Sequence, residues 1–197
     1  MKTLLVTCGA TVSFPKLICS VISAPFIGEL KSDGFERLIV QFGKDYREEF
    51  AGKLDNELFI EVECSISTAE LGTVNTPVSR TLMASHFEII GIDFSSKIQH
   101  VIKEHADLVI SHAGTGSILD SLRLAKPLII CVNDDLMNNH QQQIADKFES
   151  YGYVWACSAK PKDLLRCLTR SRSEVLKPFQ ATRSDAFEGR LKFLAFS

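Results

Sequence analysis

Short apolar runs alternate with stretches whose apolar positions recur at helical spacing along most of this chain. Thr3 to Thr7 reads as a first buried strand, and Arg37 to Phe42 (RLIVQF), closed by Gly43, as a second. Leu58 to Val62 reads as a third, Phe87 to Ile92 (FEIIGI) as a fourth and Asp107 to Ser111 (DLVIS) as a fifth. Leu128 to Val132 (LIICV) and Tyr153 to Cys157 complete the set. Helical spacing appears over Phe14 to Ile22, opened by Pro15, and over Ser95 to His105, capped by Ser95 or Ser96. It returns over Gly114 to Leu124, broken by Lys126-Pro127, over Asn138 to Tyr151, ended by Gly152, and over Pro161 to Arg170. Strands that are apolar throughout and separated by helices predict an α/β protein with a parallel sheet covered on both faces.

Two stretches break this rhythm. Residues 63–85 are polar, rich in Ser and Thr and interrupted by Gly72 and Pro77, which predicts a long loop or insertion. Past Pro178, the tail carries Phe187, Leu191 and Leu194 at i, i+4 and i+7. That stripe predicts a helix that packs on its own domain or docks on a partner. The expected organisation is one domain over 1–178 and a helical tail over 179–197.

Composition narrows the class. The 197 residues carry 22 Lys and Arg against 24 Asp and Glu, a net charge of −2, with 45% hydrophobic and 23% charged residues. Such a chain has enough apolar material for one sizeable core and is neither disordered nor collagen-like. A pI near 6.2 argues against a general nucleic-acid binder. No apolar stretch reaches the ~20 residues of a membrane span. The opening MKTLLVTCGATV has the outline of a weak secretory signal, but its apolar run ends in Cys8-Gly9-Ala10-Thr11, which reads better as a buried strand entering a tight turn. The six cysteines form no C-x-x-C pair and mostly sit in apolar runs, as reduced buried thiols of a cytosolic protein do.

Ligands of open parallel sheets bind beyond the carboxyl ends of the strands. The turn after the fifth strand, Ser111-His112-Ala113-Gly114-Thr115-Gly116-Ser117, is the most informative. Gly114 and Gly116 admit a ligand close to the backbone, Thr115 and Ser117 add hydroxyls, and a helix starts there with unpaired N–H groups. That is a site for phosphate, although a Gly-rich turn needed only for packing reads the same way. Asp120, one helical turn on, has the chemistry to accept both hydroxyls of a ribose, or else serves the helix dipole. His140 and Gln141 open the helix after the sixth strand with side chains suited to sugar hydroxyls, or simply make a solvated helix start. G-x-x-x-x-G-K-[ST], a G-x-G-x-x-G after the first strand, H-E-x-x-H and G-x-S-x-G are all missing. These absences argue against a P-loop NTPase, a dehydrogenase, a protein-built metal site and an α/β-hydrolase.

Taken together, LLVTCGAT, IGIDFSSKI, ADLVISHAGTGSILDSLRLAKPLIICVN and NHQQQIADKF resemble the donor-binding half of GT-B glycosyltransferases. The chain is closer still to the small catalytic subunits of the eukaryotic UDP-N-acetylglucosamine transferase that builds dolichol-linked chitobiose, and is similar to the bacterial lipid-II-forming N-acetylglucosaminyltransferase. The resemblance implies a Rossmann-like fold, the C-terminal half of a GT-B enzyme, and an inverting transfer of GlcNAc from UDP-GlcNAc to GlcNAc-diphosphate-dolichol. It implies that Gly9 and Thr11 lie beside the diphosphate and that Phe94 and Ser95 border the uracil pocket. Gly114, Thr115, Gly116 and Ser117 would cradle the diphosphate, with His112 near it, Asp120 on the ribose, and His140 and Gln141 on the donor sugar. His112 is the one catalytic candidate, and the general base stays unassigned. No cofactor beyond the donor substrate is implied. The family supplies the acceptor half as a membrane-anchored subunit, which would recruit this chain from the cytoplasm to the cytosolic face of the endoplasmic reticulum and its lipid-linked acceptor. A non-catalytic nucleotide-sugar-binding or regulatory subunit, and a soluble homodimeric transferase, are the alternatives.

Overall fold

The computed structural model describes residues 1–8, 13–133 and 139–179, with the side chains of 139 and 140 outside that description. Gly9, Thr11 and the predicted tail helix therefore lie outside the described residues. Strands β1 (Lys2–Thr7), β2 (Phe35–Gln41), β3 (Phe59–Glu61), β4 (Val78–Leu82), β5 (Glu88–Ile92), β6 (Leu108–His112), β7 (Leu128–Val132) and β8 (Trp155–Ser158) form one sheet. Its order is β3-β4-β5-β2-β1-β6-β7-β8. The helices are α1 (Pro15–Val21), α2 (Ala24–Ser32), α3 (Arg47–Leu54), α4 (Thr68–Leu71), α5 (Ile98–His105), α6 (Thr115–Arg123), α7 (Asn139–Ser150) and α8 (Pro161–Ser173).

Strands β5, β2, β1, β6, β7 and β8 are mutually parallel. Numbered among themselves in chain order they run 3-2-1-4-5-6, the doubly wound arrangement, which reverses direction between β1 and β6. Strand alternation builds the two faces. Leu4, Val6, Leu38 and Val40 point into one apolar cluster, which α1, α2, α3 and α8 cover. Leu5, Ile39, Val109 and Ile130 point into the other, closed by α4, α5, α6 and α7. Right-handed crossovers put helices on opposite faces once the strand order reverses.

The expected parallel sheet is joined at one edge by antiparallel strands. β4 runs antiparallel to β5, and β3 antiparallel to β4. Only Met83 to Phe87 separate β4 from β5, too few residues for a parallel crossover, so the chain turns back as a hairpin. Residues 63–85, expected to be a loop, instead hold α4 and β4. The loop leading to α4 is tied down by Glu88, which accepts the Ser65 N–H at 3.0 Å and faces Arg37 at 2.9 Å in a buried cross-strand pair. Two further helices, α2 and α3, lie outside the expected set. Before α2 the signals were Ser23 at the cap, Pro25 in the first turn and a Phe26-Ile27-Leu30 face. In α3 they were acidic Glu48 and Glu49 first, Lys53 last, and a Phe50-Leu54 face. The helix expected from Ser95 starts three residues later, with Lys97 at its cap. Of the cysteines, Cys8, Cys131, Cys157 and Cys167 are buried as expected, whereas Cys19 is exposed and Cys64 half-buried. No described helix is long and apolar enough to cross a membrane.

Candidate functional site

The strand order reverses between β1 and β6, so the crevice expected for a ligand lies past Thr7 and His112, the last residues of those strands. There the His112 ring is held tightly. Its Nδ1 lies 3.2 Å from the Thr7 carbonyl oxygen. A carbonyl only accepts, so Nδ1 carries the proton and, in the neutral ring, Nε2 is bare. Burial pushes the His112 pKa below its ordinary value, and the bond to Thr7 counters this only in part. The carbonyl of His112 accepts the Gly114 N–H at 2.6 Å and the Ser111 hydroxyl at 2.7 Å.

Gly114 follows as the cap of α6. The His112 ring occupies the space where a β-carbon on Gly114 would stand, its Cε1 2.8 Å from that position. Glycine is thus what lets the imidazole fold back over the start of the helix. The first helical bond runs from the Ile118 N–H to the Gly114 carbonyl at 3.2 Å. The N–H groups of Thr115, Gly116 and Ser117 precede it and have no acceptor within the helix. Gly116 is exposed, and a β-carbon there would meet nothing within 4 Å. Three amides with no acceptor among the described residues, the positive end of a helix and an open approach over Gly116 have the chemistry that suits an anion.

The other candidates are distributed along the same rim. Asp120 lies one turn into α6, half-buried, and its Oδ1 accepts from Gln99 Nε2 of α5 at 2.9 Å. Gln99 had no recognisable signal in the sequence. Phe94, 43% exposed, borders a cavity of about 430 Å³ at the ends of β2 and β5, with Lys44, Asp45, Val74, Asn75 and Asp93. Ser95 is buried and internally engaged. Its N–H donates to Gln41 Oε1 at 3.1 Å, its hydroxyl to the Leu71 carbonyl at 2.6 Å, and its oxygen accepts the Lys97 N–H at 3.1 Å. Ser95 therefore braces the wall behind Phe94. His140 and Gln141 sit in the first turn of α7, past the end of β7. Two buried oxygens on this rim lack a hydrogen-bond partner among the described residues, Thr7 Oγ1 and Gln141 Oε1. An unpaired buried polar atom costs about 1–3 kcal/mol, a cost that a bound ligand relieves.

The lowered His112 pKa has a stability consequence. Below about 6.5 the unfolded imidazole takes a proton that the folded one resists, so the unfolded chain binds more protons and stability is lost as the pH is lowered. His105, whose pKa burial also lowers, acts in the same direction. The thermal midpoint should drop between pH 7.5 and 5.5, and His112→Gln should flatten that slope. Superimposable slopes for parent and variant would rule out the buried neutral imidazole.

A doubly wound sheet of this strand order, with a glycine-capped helix start at its switch point, defines a Rossmann-like domain. Residues 3–193 match the glycosyltransferase family 28 C-terminal domain, and the chain belongs to that family. It is 51% identical to the UDP-N-acetylglucosamine transferase subunit ALG13 of Saccharomyces cerevisiae over 187 residues, 95% of this chain and 93% of that protein. A solution structure of ALG13 superposes with a TM-score of 0.78 at 49% identity, covering 100% of this chain and 98% of that one. MurG of Acinetobacter baumannii superposes with a TM-score of 0.56 at 15% identity over 87% of this chain and 41% of its own. At that identity the likeness concerns the fold alone, that of the C-terminal half of a GT-B glycosyltransferase.

Proposed function

We propose that this chain is the donor-binding, catalytic subunit of an inverting transferase that moves GlcNAc from UDP-GlcNAc to GlcNAc-diphosphate-dolichol, giving chitobiosyl-diphosphate-dolichol. The observation that carries the reading is the open amide cradle of α6 at the switch point, in a chain so close to a UDP-N-acetylglucosamine transferase subunit along its length. In this scheme the acceptor's 4-hydroxyl attacks C1 of the donor and UDP leaves with the bonding electrons. Negative charge then grows on the diphosphate, and the N–H groups of Thr115, Gly116 and Ser117 are placed to receive it. In other enzymes one such donor is worth about 3 kcal/mol of barrier.

His112, being neutral, adds little positive charge of its own. Its bare Nε2 is suited to accept a hydrogen bond beside the leaving diphosphate, while the proton of the attacking hydroxyl passes to a base on the opposite, acceptor side. Among the described residues Asp120 keeps one carboxylate oxygen unengaged for the ribose, and Gln141 Oε1, without a partner there, fits a sugar hydroxyl. Gly9, Thr11 and His140 belong to the same scheme by family resemblance.

A GT-B site needs a second Rossmann-like domain for the acceptor, and the described sheet supplies one. A membrane-anchored partner would supply the other and hold the assembly at the cytosolic face of the endoplasmic reticulum. Transfer of labelled GlcNAc to a GlcNAc-diphosphate lipid should need both the purified chain and a membrane fraction carrying the partner. Full transfer by the chain alone would refute the two-subunit reading. UDP-GlcNAc binding without transfer, even with the partner present, would favour a regulatory subunit.

A further inference from the structure

Two helices on one face of the sheet, α5 after β5 and α6 after β6, meet through a polar contact. Gln99, in the first turn of α5, donates from Nε2 to Asp120 Oδ1 of α6 at 2.9 Å. The residues beside this pair in the chain are packed. Ile98 and Leu119 lie against the apolar cluster that holds the buried Val101, Ile102, Ile118 and Leu122. The core therefore sets the distance between the two helix backbones, and only the side-chain torsions of Gln99 and Asp120 are left to be fixed.

The chemistry of the two groups fixes their orientation. A carboxylate only accepts, so the Gln99 carboxamide must present its nitrogen to Oδ1, and its own oxygen is turned away. The helix dipole does not account for the acid, because the first turn of α6 holds none and Asp120 falls beyond it. Gln99 is exposed and Asp120 half-buried, so water competes for both groups and their bond adds little to stability. Its main consequence is the direction in which the second carboxylate oxygen points.

We propose that Gln99 is a positioning residue for the ribose of the nucleotide. By holding the Asp120 carboxylate in one rotamer it aims the second oxygen at the sugar's adjacent hydroxyls, and so sets a preference for ribonucleotide over deoxynucleotide. The proposal rests on the function given above, in which Asp120 receives the ribose. A carboxylate that swings freely must be ordered when the ligand binds, and that lost freedom is subtracted from affinity. One already held by Gln99 loses less. Because Gln99 acts through Asp120, its effect falls only on ligands that carry the hydroxyls.

The test uses the transferase reconstituted with its membrane-anchored partner, inhibited by UDP and by 2′,3′-dideoxy-UDP in competition with UDP-GlcNAc. Gln99→Met keeps the length of the side chain and a good helix former while removing the donor, so it should melt like the parent. The parent should bind UDP about ten-fold more tightly than the dideoxy compound, the worth of a hydrogen bond to a charged group. Gln99→Met should raise the UDP inhibition constant about five-fold and leave that of dideoxy-UDP where it was. Asp120→Ala should abolish the preference, and adding Gln99→Met to it should change nothing more. An unchanged UDP constant in Gln99→Met overturns the proposal. So does an equal rise for both inhibitors, or a further loss in the double variant. A parent that binds both inhibitors equally takes the ribose away from Asp120 and the proposal with it, but leaves the transferase reading standing. A parent that neither responds to UDP nor uses UDP-GlcNAc overturns that reading itself.

Discussion

Gly116→Leu should abolish sugar transfer in the reconstituted enzyme while leaving the thermal midpoint unchanged or slightly raised. The two halves of that expectation have different causes. Gly116 lies in the first turn of α6 with open space where a β-carbon would go, so the β-carbon of leucine meets no protein atom and leucine replaces the poorer helix former. The same open space is the approach to the three amides that have no acceptor among the described residues. An isobutyl group there would stand where the diphosphate must come within about 3 Å of the backbone. UDP affinity should fall by about two orders of magnitude or more, equivalent to losing two charge-assisted bonds. Gly114→Ala makes a contrasting control, because its methyl group would strike the His112 ring rather than the ligand. That variant should retain more UDP binding than Gly116→Leu and lose kcat as the imidazole is displaced from Thr7. Normal transfer by Gly116→Leu would remove the diphosphate from the mouth of α6.

The largest expected effect on stability is at Glu88. Its carboxylate is 7% exposed and faces Arg37, 9% exposed, directly across β2 and β5. Arg37 also reaches the Ser65 hydroxyl at 2.8 Å, and Glu88 holds both the N–H and the hydroxyl of Ser65. Burial alone would raise the Glu88 pKa, but the bonds from Ser65 and Arg37 together outweigh it and hold the carboxyl below the usual range. Its contribution is accordingly complete above about pH 4.5 and is lost as pH falls through the lowered value. Glu88→Ala leaves the Arg37 guanidinium buried and unpaired and releases the loop before α4. A cost of about 3–5 kcal/mol is expected, or roughly 10 °C in midpoint for a domain of this size. Arg37→Met combined with Glu88→Leu should recover most of that loss, because an apolar pair of similar volume avoids desolvating two charges. If Glu88→Ala unfolds within a degree of the parent, the pair is solvated rather than buried.

Much of this was legible in the residue order. The apolar runs at Thr3, Arg37, Asp107 and Leu128 became β1, β2, β6 and β7 because a central parallel strand is buried on both faces and tolerates few polar positions. The turn from Ser111 to Ser117 was legible because a glycine cap, a helix start and flanking hydroxyls are local properties. α2 and α3 give weak periodicity because their apolar faces span only two turns, and α3 starts after Tyr46 with no capping side chain.

The partners of those local signals were not legible. The same serine pattern that predicts a helix cap at Ser95 describes a residue whose hydroxyl is taken by Leu71, 24 positions away. Nothing near His112 announces that its Nδ1 bonds Thr7 across 105 positions, or that its ring fills the space over Gly114.

By itself the chain's order of residues determined most of the strands and helices, that the sheet is mostly parallel, and where a glycine-capped helix start falls. Those follow from steric preference and periodicity within a dozen residues. Tertiary structure alone decided the reversal of strand order at β1, the antiparallel edge, the uncharged state of His112 and the burial of Ser95. Each of these depends on which distant groups share a low-dielectric interior, and no short stretch of sequence carries that information.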